Sequence, residues 1–183
     1  MTVYIVIGVV VLLLLWFIMG YNKLVHGKNK VEEAFSTMDV YMKKRFDLIP
    51  NLVETVKGYA KHESETLEKV IAARNAAGNA RNMEERMQNE AVLNGAMRNI
   101  FALAENYPDL KANQNFMDLQ GQLKKAEEDI ANSRKFYNAV VRDFNNMVMT
   151  IPTNVIASLF HFEKQAMFEV ADAAERENVQ VKF

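Results

Sequence analysis

A chain of 183 residues that opens on one long apolar run has room beyond it for a single domain of ordinary size, and none for a second catalytic domain. Its 22 basic and 23 acidic residues nearly cancel, to a net charge of -1, so no overall field gathers nucleic acid or an acidic substrate. The lack of cysteine excludes disulfides, thiolate metal sites and a thiol nucleophile. Seven glycines and three prolines leave little turn material, and good helix formers fill most positions beyond residue 22, so the expected fold class is all-α.

From Val3 to Tyr21 no residue carries a charge. As a helix this stretch reaches about 28 Å, enough for a hydrocarbon core of about 30 Å. It lacks the basic start and small-residue cleavage site of a secretory signal, so a retained transmembrane helix over 3–21 is expected. Trp16 and Tyr21 suit the membrane interface, and Lys23, Lys28 and Lys30 flank it on one side only. By the positive-inside rule the expected location is a bacterial cytoplasmic (inner) membrane, single-pass, N-terminus out and the C-terminal domain in the cytoplasm.

Residues 22–168 read as one helical domain. Val31, Phe35, Met38, Met42, Ile49, Leu52 or Val53, Val56 and Tyr59 or Ala60 form an apolar stripe at helical spacing, which Leu67 and Val70 or Ile71 continue. Met87, Ala91, Met97, Ile100, Phe101 and Ala104 form another, and Phe116, Leu119, Leu123, Ala126, Ile130, Ser133, Tyr137, Val140, Phe144 and Met147 form the longest. Gly58 and Lys61–Ser64 suggest a turn, and Pro108 ends the helix before it. The spacing therefore predicts helices over about 22–58, 64–106, 109–148 and 152–168, an antiparallel up-down four-helix bundle of long helices behind the N-terminal transmembrane helix. Gly78-Asn79 is the weak point of the second helix. Counting passes puts the 58–64 and 149–152 turns far from the membrane and the 107–109 turn near it, with a groove where the short fourth helix stops. Pro50 cannot donate to the Phe46 carbonyl, which Asp47 or Asn51 could satisfy instead, and is expected to kink the first helix there, a break being the alternative.

The search for chemistry returns little. His26, His62 and His161 have Lys23, Tyr59 and Ser158 three residues before them, so no Glu-x-x-His pair exists. A zinc-protease helix, a nucleophile elbow, a Walker loop and a Rossmann glycine pattern are all missing. No enzymatic activity, no cofactor and no nucleic-acid partner is expected. Lys43-Lys44-Arg45 read as a charged helix face. Ser133, with Arg134, Asn138 and Arg142, is a candidate polar layer against Asp47, Asn51 and Glu54, of the kind that sets helix register. Residues 169–183 turn acidic and then alternate from Asn178 to Phe183, a tail expected to be disordered as a terminus.

Several blocks resemble the bacterial LemA family. They are Tyr21-Asn22-Lys23-Leu24-Val25, Val31–Phe35, Lys44–Ala60 around Asp47-Leu48-Ile49-Pro50-Asn51-Leu52, Tyr107–Ala112, Phe116–Gln120, Arg134–Asn138 and Pro152–Phe162. The resemblance implies an antiparallel four-helix bundle on a membrane helix, without established enzymatic activity or settled ligand residues. Family members with a lipidated cysteine just before Tyr-Asn differ from this chain, which has Met19-Gly20-Tyr21 there, so a lipid anchor does not carry over. The neighbourhood of membrane proteases and envelope-stress proteins implied by the resemblance makes one of these a candidate partner. The expectation is a membrane-tethered scaffold or interaction protein of the bacterial envelope, a self-assembling homo-oligomer in contact with the lipid bilayer. The alternative is a membrane-anchored sensor or ligand-binding bundle.

Overall fold

The computed structural model describes residues 1–81 and 83–168, apart from the side chains of 83 and 84. It is all-helical, with no strand among the described residues. The helices are α1 (Thr2–Tyr59), α2 (Ser64–Gly78), α3 (Met83–Ala104), α4 (Pro108–Lys111), α5 (Gln114–Met149) and α6 (Thr153–Leu159). The tail expected from 169 to 183 lies outside the described residues.

The expected helix over 64–106 is two helices, α2 and α3, which pack against each other. The break falls at Gly78-Asn79. A Cβ at Gly78 would stand 2.7 Å from Cε2 of Phe46, so the glycine there admits the Phe46 ring. Asn89 of α3 donates to the Ala76 carbonyl at 2.9 Å, satisfying one acceptor near the end of α2. The third expected helix is split by Ala112 and Asn113, and Asn113 Oδ1 accepts from the Phe116 N–H at 3.0 Å to cap α5. The fourth is only Thr153–Leu159, and residues 160–168 continue without regular structure.

The chain divides into two compact units. One joins Met1–Met38 to Asn132–Met167, and the other is built on Asp39–Ala131, with Phe168. In the first, Leu24, Val31, Ala34 and Met38 of α1 are buried, as are Tyr137, Val141 and Phe144 of α5. Gly27 lets the helices approach, since its Cβ would stand 2.6 Å from Met147 Cε. Ile156 of α6 lies on Gly20, and Phe160 stacks on Phe17 and Tyr21 with ring centroids 5.7 and 4.7 Å apart. The α6 helix closes with the Phe162 N–H bonded to the Ala157 carbonyl at 2.9 Å and His161 at a φ of 56°, the left-handed cap usually left to glycine. Beyond it Asn145 clamps the backbone of Gln165, donating at 2.9 Å and accepting at 2.8 Å, and Tyr137 donates to the Ala166 carbonyl.

In the second unit one core is shared by Ile49, Leu52, Val53 and Val56 of α1, Leu67 and Val70 of α2, Leu93, Met97 and Ile100 of α3, and Phe116 and Leu123 of α5. Tyr107 donates to Glu63 at 3.1 Å, and Asn113 to the Tyr59 hydroxyl at 2.9 Å.

These contacts reverse the expected turns. The 107–113 connection sits at the C-terminal end of α1, and the 149–152 turn leads into α6 beside the end of the apolar segment. The break at Gly78 adds one chain reversal, which changes the parity of every later turn. The groove expected at the membrane-proximal end of the bundle is accordingly replaced by α6.

Candidate functional site

Arg45 is 1% exposed, the largest buried charged side chain. Its position is set by a seam on α1. Gly20, Leu24, Gly27, Val31, Ala34, Met38, Met42, Arg45, Ile49, Leu52 and Val56 are buried at steps of three or four. Arg45 thus fills the gap between Met42 and Ile49 in the apolar stripe. Its guanidinium pairs with Glu90 of α3 and Glu127 of α5 and donates to Asn94 Oδ1 at 2.5 Å. Glu90 is also buried, whereas the Glu127 side chain is 42% exposed. A guanidinium spans three helices here because its planar fork can serve several acceptors at once. Such a buried network costs desolvation and returns specificity of packing.

Pro50 lies inside α1 without ending it. The carbonyl it leaves free is Phe46, and the donor is neither Asp47 nor Asn51, as the sequence suggested. Arg74 of α2 donates its Nε–H to the Phe46 carbonyl at 3.0 Å, with its guanidinium 3.6 Å above the Phe46 ring. Asp47 instead pairs with Lys43 one turn back, at 3.1 Å.

Between α3 and α5 an open groove of about 720 Å³ is lined by Met97, Phe101, Met117, Gly121, Lys124 and Glu127 among others. Glu127 and Asn94 line it while holding Arg45, so two partners of the buried guanidinium form part of its polar wall. A Cβ at Gly121 would meet nothing within 4 Å. Nothing in the sequence stripes marked this face, because Met97, Phe101 and Leu123 read equally well as core.

The other sequence candidates are placed as follows. Of the family block, Ile49 and Leu52 are buried and Leu48 is half-buried, while Asp47, Pro50 and Asn51 are exposed. Glu54 and Arg142 are exposed, with ion partners on their own helices, Lys57 at 3.8 Å and Asp143 at 3.7 Å. Ser133 is buried, and Arg134 and Asn138 are half-buried. Trp16, Tyr21, Lys23, Lys28 and Lys30 are exposed, and Tyr21 carries the Phe160 and Phe162 rings. Among the described residues no three His, Asp or Glu side chains converge as a metal cluster.

Two ring hydroxyls are perturbed. Burial pushes the Tyr137 phenol above its ordinary value, and at Tyr107 burial and the hydrogen bond to Glu63 do the same. Glu65 is held lower by its hydrogen bond to Lys69 and by that lysine's charge.

The sequence model of the LemA family matches residues 34–183. The chain belongs to the LemA family. It is also similar to Protein LemA of Metamycoplasma hominis, 27% identical over 165 residues that span 87% of this chain and 72% of the relative. The matched span holds Arg45, the Pro50 block and both walls of the groove, and begins after the apolar segment. That segment forms the start of α1, the one helix among those described that is long and apolar enough to cross a membrane.

Proposed function

We propose that this LemA-family chain is a membrane-tethered scaffold or interaction protein of the bacterial envelope, self-assembling and without catalytic activity. The observation that carries this reading is the open α3–α5 groove, apolar along Met97, Phe101 and Met117 and rimmed by charge of both signs. A helix of another copy fits such a surface, with apolar anchors in the groove and charges at its edge. Tethering matters because copies confined to one membrane meet at high effective concentration, so weak groove contacts can build an array. The four helical segments that share the core are read as an antiparallel up-down bundle, and the exposed Lys23, Lys28 and Lys30 favour a bacterial inner membrane with the N-terminus out and this domain in the cytoplasm. Beyond its own copies, a membrane protease or envelope-stress protein is the partner class the family resemblance implies.

Filling the groove tests this. Gly121→Leu adds a side chain into open space and improves helix propensity, so the fold survives. Crosslinking in native membranes is expected to trap higher-order species of the wild type and several-fold fewer of G121L. Equal crosslinking of the two removes the groove from assembly. A wild type that stays monomeric favours the second reading, a ligand-binding sensor, to which a groove of about 720 Å³ is also suited in size.

A further inference from the structure

The face that α6 turns away from the protein is apolar. Ile151, Val155 and Leu159 are exposed at steps of four, and Met149 and Phe160 extend the row. The opposite face, Ile156 and Ala157, is buried. From Phe144 to Phe160 no residue carries a charge, although a quarter of the chain is charged.

The depth of this row follows from its contacts. Ile156 touches Gly20, and Phe160 touches Phe17 and Tyr21, all within the uncharged segment. Lys23 is the first charge after that segment, and Phe17 lies six residues before it, about 9 Å along a helix. Phe160 is therefore seated on the apolar side of the first lysine. Most polar groups around α6 have partners in the protein, and the exception, Asn154 Oδ1, is buried rather than on the apolar outer row. Thr150 Oγ1 donates to the Asn146 carbonyl at 2.7 Å and Thr153 Oγ1 to the Met147 carbonyl at 2.5 Å. The N–H groups of Phe160 and Phe162 return to the carbonyls of Ile156 and Ala157. Hydrogen-bonded groups with no charge suit the headgroup–acyl boundary.

We propose that α6 and its flanks form a second membrane contact, lying in the plane of the bilayer with Ile151, Val155 and Leu159 at the headgroup–acyl boundary beside the anchor. The occupant of this face is lipid, because α6 packs directly on the uncharged segment at Phe17, Gly20 and Tyr21, and Ile151, Val155 and Leu159 lie in a stretch that carries no charge from Phe144 to Phe160. His161, Glu163 and Lys164 then follow at headgroup level. The inference rests on the anchor reading of the first segment, and its test separates the two.

The chain has no cysteine, so single-cysteine labelling of the full-length protein is clean. Leu13→Cys, Val155→Cys, Leu159→Cys and Val92→Cys each receive an environment-sensitive fluorophore, in vesicles of phosphatidylethanolamine and phosphatidylglycerol doped with shallow nitroxide lipid, or with deep nitroxide lipid for Leu13 near the mid-plane. Val92 is an exposed residue of α3 and serves as the aqueous reference. Circular dichroism shows that each labelled chain keeps its helix content. V155C and L159C are expected to be blue-shifted and quenched several-fold more than V92C. Quenching at V155C equal to that at V92C, with L13C quenched, overturns the inference and leaves the anchor standing. A blue shift at V155C without lipid quenching overturns it in favour of a second copy covering the row. An unquenched L13C removes the anchor and the inference together.

Discussion

Two arginines do opposite things in this protein, and both depend on α1. Arg45 sits where an apolar residue would continue the seam and is held by Glu90, Glu127 and Asn94. Arg45→Met leaves the buried Glu90 carboxylate without its cation, and a loss of about 3–5 kcal/mol is expected in chemical denaturation of the detergent-solubilised protein. The pair Arg45→Met and Glu90→Met recovers most of that loss, since two apolar side chains replace two buried charges. Arg74 replaces a donor that Pro50 cannot supply. Arg74→Met costs about 1–3 kcal/mol with Pro50 in place. In a Pro50→Ala background the new N–H reaches Phe46 itself, so the same substitution costs less, and the double-mutant cycle reads out the hydrogen bond. The reading of Lys43-Lys44-Arg45 as a charged helix face fails for Arg45, which is buried: the step of seven between Met42 and Ile49 held the signal, since the residue inside it falls on the seam. No local pattern could indicate Arg74, because its partner lies 28 residues away and only the α2 fold-back joins them.

At the level of the helices, the apolar spacing identified α1 and α5 correctly in kind and nearly in extent, since long amphipathic stripes bury one face wherever they pack. The fourth helix was over-read. Residues 160–168 keep an apolar spacing, but they run as an irregular strap fixed by side-chain hydrogen bonds from Asn145 and Tyr137 rather than by helical ones. Burial of the Tyr137 phenol makes stability depend on pH at the alkaline end. The Tyr137 phenol ionises at higher pH in the folded chain than the ordinary 10.0, so its contribution is complete below about pH 10 and is lost as pH rises through the folded value. Tyr137→Phe is expected to lower stability at neutral pH by about 1 kcal/mol through the lost bond to Ala166. It should also flatten the alkaline fall, which melting curves between pH 8 and about pH 11 would record. If the variant follows the wild-type slope throughout, another group governs that limb.

For the molecule as a whole, composition and the first uncharged segment were enough to give an all-helical chain with an anchor-length helix, because both are written in residue type alone. Topology was not, because one short break at Gly78 altered the direction of everything after it. The seam on α1 runs back through Leu24 to Gly20, inside the uncharged segment, so anchor and seam share one angular phase. One alanine inserted between Tyr21 and Leu24 turns the anchor by about 100° and swings Gly20 away from Ile156. A lower melting temperature is expected for that insertion, and no change for the same insertion between Val6 and Ile7, upstream of every packed residue. The apolar segment is keyed to the domain like a shaft: it cannot turn about its own axis without carrying Ile156 and Phe160 with it, so its angle is set by the seating of α6.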